Sequence, residues 1–358
     1  MNRIESAHLE PTSLCNLRCR YCYYPDVVDS GKSNLSLNQW FDVITNLYNN
    51  GCRDFSLSGG EFLLYPFKNE MLDHLFKFNL NRIAIFTNGT IQATEIDKYM
   101  KKDLKIEFRV SLDGLLSHSS VRKGSNYQRI LSFIKWVKSY GCPVVINTIV
   151  TNENKHELMK LYDLLKGMNI DKWFIDQPFF LGEMKNNKDL EIAAEDYVLT
   201  VKNILVRYLN EKQTPFALDI YSLFNSNQLG SGYYVFGENS HPCNYQKKAM
   251  TIRSNGEVYF CPSLNIPFGN VGYDGIAETR DKIRLSEFSK ILISKINGCD
   301  CCRYIKICGS GCRADALYDQ LSIYEKDIRS CTIMKLYEEL IVPILPFTLQ
   351  NQFYNLAQ

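Results

Sequence analysis

The chain has 358 residues, 45% hydrophobic and 22% charged, enough for two or three domains or one large α/β domain with an appendage. A net charge of +2 leaves no bulk basic surface, so no nucleic-acid partner is expected. No apolar run reaches the ~18 residues that span a bilayer, Met1–Ser6 lacks a signal-peptide core, and thirteen cysteines make an odd count for a closed disulfide framework; a cytoplasmic chain with no membrane partner, whose thiols bind metal, is expected.

The first chemistry-bearing stretch is Cys15-Asn16-Leu17-Arg18-Cys19-Arg20-Tyr21-Cys22. Three thiols on one tight loop can hold three corners of a [4Fe–4S] cube, which takes a thiolate on each iron. One iron is then left open, as in catalytic metal sites. A strand-and-helix rhythm follows. Ser36 caps a helix through Trp40, Ile44 and Leu47 that Gly51 ends. Asp54–Leu57 is a short strand running into Ser58-Gly59-Gly60-Glu61, where paired glycines suggest a close backbone approach to a ligand. Met71, Leu72, Leu75 and Phe76 make a helical face. Ile83–Thr87 runs into Asn88-Gly89 and Ile106–Val110 into Ser111-Leu112-Asp113-Gly114, with His118 and Arg122 in the following loop. Helical faces at Ile130–Val137 and Leu158–Leu165 alternate with strands at 144–150 and 173–178. Six such units argue for parallel strands with right-handed crossovers. They are too few for a closed eight-fold barrel, and in parallel barrels ligands sit at the carboxyl ends of the strands. Gln177 and Glu183 lie at or beyond the last strand end, while Cys52 and Cys142 read as buried structural thiols.

Residues 190–226 read as helical, and Asn225–Gly237, rich in Asn, Ser, Gly and Tyr, as a linker or mobile loop over the mouth of the site. Cysteines then return at 243, 261, 299, 302, 308, 312 and 331. Ile252–Phe260 reads as a β-hairpin turning at Asn255-Gly256, which brings its flanking thiols together. Taken alone, the CxxC and CxxxC pairs also suit zinc.

With Cys15, Cys19, Cys22 and the aromatic Tyr21, the run resembles the CxxxCxΦC signature of the radical S-adenosylmethionine (SAM) superfamily, and the seven later cysteines resemble its SPASM domain. The resemblance implies a partial (β/α)6 barrel over 1–190, a helical linker over 191–238, a small cysteine-rich SPASM domain with a β-hairpin and helices over 239–335, and a docking segment over 336–358. It implies that Cys15, Cys19 and Cys22 hold a [4Fe–4S] cluster whose open iron binds SAM, giving a 5′-deoxyadenosyl radical. Tyr21, Gly59, Gly60, Glu61, Asn88, Ser111 and Arg122 would serve the cofactor. Two auxiliary iron–sulfur clusters, of [4Fe–4S] type, are implied, one on Cys243, Cys261 and Cys312 and the other on Cys299, Cys302, Cys308 and Cys331. The first is one thiolate short; His241, Cys301 or an open site remain as alternatives.

The family's SPASM members act mostly on peptides, so the expected activity is oxidative modification of a peptide or small protein, such as a crosslink. A reductant such as flavodoxin or ferredoxin is expected. Fourteen residues precede Cys15 and twenty-seven follow Cys331. Neither end has room for a winged-helix leader-binding domain, so a separate leader-binding protein or direct binding at the barrel mouth is expected. Formylglycine formation in a sulfatase is the alternative. Pro262 stands where such enzymes carry an aspartate after the hairpin cysteine. Oxidation or epimerisation of a small molecule such as an aminosugar, and a non-catalytic iron–sulfur or zinc scaffold, are the others.

Overall fold

The computed structural model describes residues 4–24, 34–101, 105–237, 239–242 and 248–358. Its strands are β1 (Ser6–Glu10), β2 (Asp54–Leu57), β3 (Arg82–Thr87), β4 (Ile106–Ser111), β5 (Val144–Ile149), β6 (Lys172–Asp176), β7 (Ala217–Ile220), β8 (Phe224–Asn225), β9 (Ala249–Arg253), β10 (Glu257–Tyr259) and β11 (Pro267–Asn270). They form one sheet in the order β8-β7-β6-β5-β4-β3-β2-β1-β9-β10-β11. Neighbours from β7 to β9 run parallel. The flanking pairs are antiparallel. Among the described residues the two end strands do not pair with each other, so the sheet is open.

Crossover helices cover the outer face. The first, α1 (Leu37–Asn49), starts with a capping box in which Ser36 and Gln39 exchange hydrogen bonds, and it buries Trp40, Val43, Ile44 and Leu47. α2 (Lys68–Leu75), α3 (Tyr127–Ser139), α4 (Leu158–Gly167) and α5 (Ala194–Leu209) follow, each with a buried apolar stripe. Period-two patterning decides the other face. In β4, Ile106, Phe108 and Val110 are buried towards the helices, and Glu107, Arg109 and Ser111 alternate with them. The inner face is therefore polar, with Arg109 Nε donating to Glu107 at 2.8 Å.

Two features depart from the sequence expectation. The helical reading of 190–226 holds for Ala194–Leu209, but Ala217–Ile220 is a strand that extends the parallel sheet beside β6. Pro215 ends the helical option, and the alternation of buried Leu218 and Ile220 around Asp219 fits a pleat. The hairpin forms with Gly256 at φ +81°, but its first strand also pairs in parallel with β1, from Ser6 opposite Ala249 to Glu10 opposite Arg253. The cysteine-rich region is thereby joined edge to edge with the barrel sheet. Beyond it come α6 (Gly275–Leu285), α7 (Arg313–Gln320), α8 (Ile328–Leu336) and α9 (Phe347–Leu356). Phe353 of α9 is buried among the rings of Tyr233, Tyr304 and Tyr337.

Candidate active site

The Cys15–Cys22 loop follows β1 and is held by the ends of the next three strands. Gly60 N donates to Thr12 O at 2.9 Å and Glu61 N to Leu14 O at 2.8 Å. A Cβ on Gly59 would fall on the Thr12 carbonyl oxygen, and one on Gly60 on that of Leu14. The backbone approach that these glycines allow is thus to the chain's own cysteine-bearing loop. Gly60→Ala sets a methyl against backbone that cannot swing aside. We expect it to lose at least ~1–3 kcal/mol of stability and to load less iron, read by thermal unfolding and iron analysis.

Glu61 lies under this contact, 1% exposed. Its carboxylate accepts from Asn88 N at 2.7 Å and Leu63 N at 3.1 Å. Burial pushes it up to about 7 against those two bonds. Asn88 donates to Asn16 Oδ1 at 2.9 Å, and Asn16 donates to Thr90 Oγ1 at 2.8 Å. The turn after β3 therefore grips the loop between its first two cysteines.

The turn after β4 grips the other half. Asp113 is fully buried. Its Oδ2 accepts from Arg122 Nε at 2.6 Å and from the Tyr21 hydroxyl, and its Oδ1 accepts from Ile149 N at 2.9 Å. The Arg122 guanidinium lies over the Tyr21 ring, 5.1 Å from its centroid, and its Nη1 reaches Cys19 Sγ at 3.8 Å. Arg18–Cys19 and Arg122–Lys123 form a two-residue antiparallel ladder. His118 is internal to this knot: Nδ1 accepts from Asp113 N at 3.1 Å, Nε2 meets Ser125 Oγ at 2.9 Å, and burial lowers it to about 4, so it is neutral. On the far side, Glu183 N donates to Cys22 O at 2.9 Å.

The three thiols suit an iron cluster in kind and placement. Burial raises all three, Cys19 to about 12, and charge on Cys15 or Cys22 would raise Cys19 further. Such a set holds thiolates only when metal supplies the balancing charge. Among the described residues no three His, Cys, Asp or Glu side chains converge closely enough for a single metal ion, and a four-iron cube spaces its thiolates more widely than one ion does. Beside the loop, Ser111 ends β4 opposite Asn147 of β5. Asn147 Oδ1 is buried with no hydrogen-bond partner among the described residues, an acceptor left for a polar cofactor such as SAM.

The later cysteines fall into two groups. Cys299, Cys302, Cys308 and Cys331 lie close enough for charge on one to raise another. Cys312 is coupled in the same way to Cys261. Cys243 lies outside the described residues. Cys301 is exposed, His241 Nδ1 meets Ile291 O at 2.7 Å, and Cys52 and Cys142 are buried away from both groups. Asp327 accepts from Cys312 N at 2.9 Å, fixing that thiol's loop.

A latch that the sequence reading missed joins this region to the barrel. Arg329 of α8, two residues before Cys331, donates through Nε to Gln177 Oε1 at 2.7 Å and through Nη1 to Pro178 O at 3.0 Å. At the hairpin end, Arg253 Nε lies 3.4 Å from Glu10, both nearly buried. Between β6, β7, α7 and α8 lies a cavity of about 350 Å³ lined by Asp176, Gln177, Cys308, Cys312, Asp315 and Arg329, with Tyr233 and Phe236 on its aromatic side.

A family model of the radical SAM superfamily matches residues 9–165, and one of the SPASM iron–sulfur cluster-binding domain matches residues 243–303. The chain is a radical SAM enzyme with a SPASM domain. Its radical SAM domain binds a [4Fe–4S] cluster and SAM, and its SPASM domain binds iron–sulfur. It is similar to the subtilosin biosynthesis protein AlbA of Bacillus subtilis, at 31% identity over 42% of this chain and 34% of AlbA; the match thus spans about a third of that relative. It is 23% identical to the cysteine-type anaerobic sulfatase-maturating enzyme of Clostridium novyi over 84% of this chain and 86% of that enzyme. Streptococcus suis SuiB, solved with its precursor peptide SuiA, superposes with a TM-score of 0.72 at 18% identity over 92% of this chain and 76% of SuiB, which shows a shared fold. No helix among the described residues is long and apolar enough to cross a membrane.

Proposed function

We propose that this radical SAM enzyme oxidises a peptide, removing hydrogen from one of its side chains and leaving a crosslink or another oxidised product. The observation that carries the reading is the cavity between the strand ends and the second cysteine group, about 350 Å³ and of a size for a side chain. AlbA, a bacteriocin biosynthesis protein, and SuiB, solved with a precursor peptide, support it. When bound at Cys15, Cys19 and Cys22, the cluster and SAM supply a 5′-deoxyadenosyl radical. The Tyr21–Asp113–Arg122 knot fixes that loop. Ser111 and Asn147 offer polar contacts to the cofactor. Cys299, Cys302, Cys308 and Cys331 hold one auxiliary cluster, and Cys261 and Cys312, with Cys243, another. The reaction belongs in the cytoplasm with a flavodoxin or ferredoxin as reductant.

A second reading is formylglycine formation on a sulfatase cysteine or serine, favoured by the near full-length match to the Clostridium enzyme. The test incubates anaerobically cluster-loaded protein with SAM, dithionite and two probes: peptides encoded beside its gene and a synthetic cysteine peptide of sulfatase type. Loss of two hydrogens from a gene-neighbour peptide, matched by 5′-deoxyadenosine, is the expected result. Replacement of sulfur by oxygen together with loss of two hydrogens in the cysteine peptide would establish the second reading instead. 5′-Deoxyadenosine with neither peptide altered would refute both.

A further inference from the structure

Asp176 ends β6 where the barrel meets the SPASM region. Its side chain is 8% exposed and lines the cavity that Cys308 and Cys312 also line. Among the described residues its carboxyl accepts one hydrogen bond, from Gln177 N to Oδ1 at 2.7 Å. Oδ2 is left open. The other buried carboxylates around the barrel mouth are occupied: Glu61 by two backbone amides, Asp113 by Arg122, Tyr21 and Ile149 N, and Glu10 by Arg253. Glu183 does not line this cavity, and Pro262, beside Cys261, has no titratable group.

The charges facing Asp176 come from every element around it. Arg329 comes from α8, Asp315 from α7 and Asp219 from β7, with the Tyr197 hydroxyl of α5 nearby. Arg329 is engaged by Gln177 and Pro178, and Asp219 pairs with Lys172 Nζ at 2.6 Å. Among the described residues Asp176 is therefore a buried carboxyl with no ion-pair partner of its own. Burial pushes it up to about 7, with Arg329 opposing and Asp315 and Asp219 adding. A general base works best when poised near the operating pH.

We propose that Asp176 is the base that takes the proton from the substrate group oxidised in this cavity. The proposal rests on the peptide-oxidising reading. Bound SAM would supply the radical that takes a hydrogen atom from the substrate carbon and ends as 5′-deoxyadenosine, and an auxiliary iron–sulfur cluster held by the later cysteines would accept the one electron left on that carbon. The neighbouring thiol, hydroxyl or amide loses its proton to Asp176 Oδ2, and the new bond to carbon forms. The substrate is thereby oxidised by two electrons and loses two hydrogens, one as an atom and one as a proton.

Asp176→Asn in the cluster-loaded enzyme tests this on the peptide modified by the wild type. Modification should fall by about 100- to 10,000-fold while 5′-deoxyadenosine still forms and iron content is unchanged. Wild-type modification should rise with pH through about 7, a dependence that the variant lacks. An Asn variant with the wild-type rate and pH profile overturns the proposal. A wild type that modifies neither probe overturns the peptide reading instead. Infrared difference titration of the cluster-loaded protein needs no peptide. A protonated carboxyl band titrating near 7 and absent from Asp176→Asn is expected, and an Asp176 carboxyl already ionised at pH 5 overturns the assignment. Should the Asn variant misfold, Asp176→Glu keeps a carboxyl and should retain a slower, still pH-dependent reaction; a pH-independent Glu variant counts against it.

Discussion

Cys19→Ala is expected to abolish SAM cleavage and to remove about four irons per chain while the fold persists. Cys19 is the middle thiol of the loop and the most enclosed by its supports. It lies in the ladder with Arg122–Lys123, and Arg122 Nη1 stands 3.8 Å from its sulfur. Burial pushes the thiol up to about 12, so its thiolate exists only with a counter-charge, which iron provides. With one of three thiolates gone, two cannot retain a cube. The later cysteines are held by separate elements, by Asp327 under Cys312 and by Arg329 against the barrel, so the auxiliary iron should stay. Iron and sulfide analysis after anaerobic loading, with 5′-deoxyadenosine measured under dithionite, reads both effects. Cys301→Ala is the control: Cys301 is exposed, and its loss should change neither quantity. Unchanged iron in Cys19→Ala would refute the assignment of this loop.

How far the sequence carried this site depended on whether a residue's partner was local. The cysteine spacing, the Ser36 cap and the Asn255-Gly256 turn are local, and each was readable. Gly59 and Gly60 were readable as a close approach, but what approaches them is the chain's own Thr12–Leu14 backbone, a partner more than forty residues away. The same limit hid the junction with the cysteine-rich region. β9 is a short apolar strand whose alignment with β1 joins residues 6–10 to 249–253, and no periodicity within either segment signals that pairing. Asp219 falls in the stretch read as helical, and its place on the sheet shows only once β7 lies beside β6. Arg329 drew no reading from the sequence, because its role as a latch depends on Gln177, 152 residues away along the chain.

Asp113→Asn should be the most destabilising single change at the site, by about 3–5 kcal/mol. Burial alone would raise this carboxyl, but the Arg122 guanidinium and the hydrogen bonds from Arg122 and Ile149 N hold it below the usual carboxylate range. Asparagine keeps the shape and removes the charge, so Arg122, buried against Cys19 and Tyr21, is left without its counter-ion. The sign follows from linkage: a carboxyl depressed on folding contributes stability that is complete above its unfolded value and is lost as pH falls through its folded one. The gap between wild type and variant should therefore stay level from about pH 5 to about pH 8. A gap that grew steadily across that range would mean that another group, not Asp113, sets it. Removing both charges, as Asp113→Asn with Arg122→Met, should recover part of the loss, because the uncompensated guanidinium causes most of it. Urea unfolding of the four proteins closes the cycle. Strictly additive losses would show that the two side chains support the cysteine loop separately and would remove the ion pair from the account of how Tyr21 and Cys19 are held.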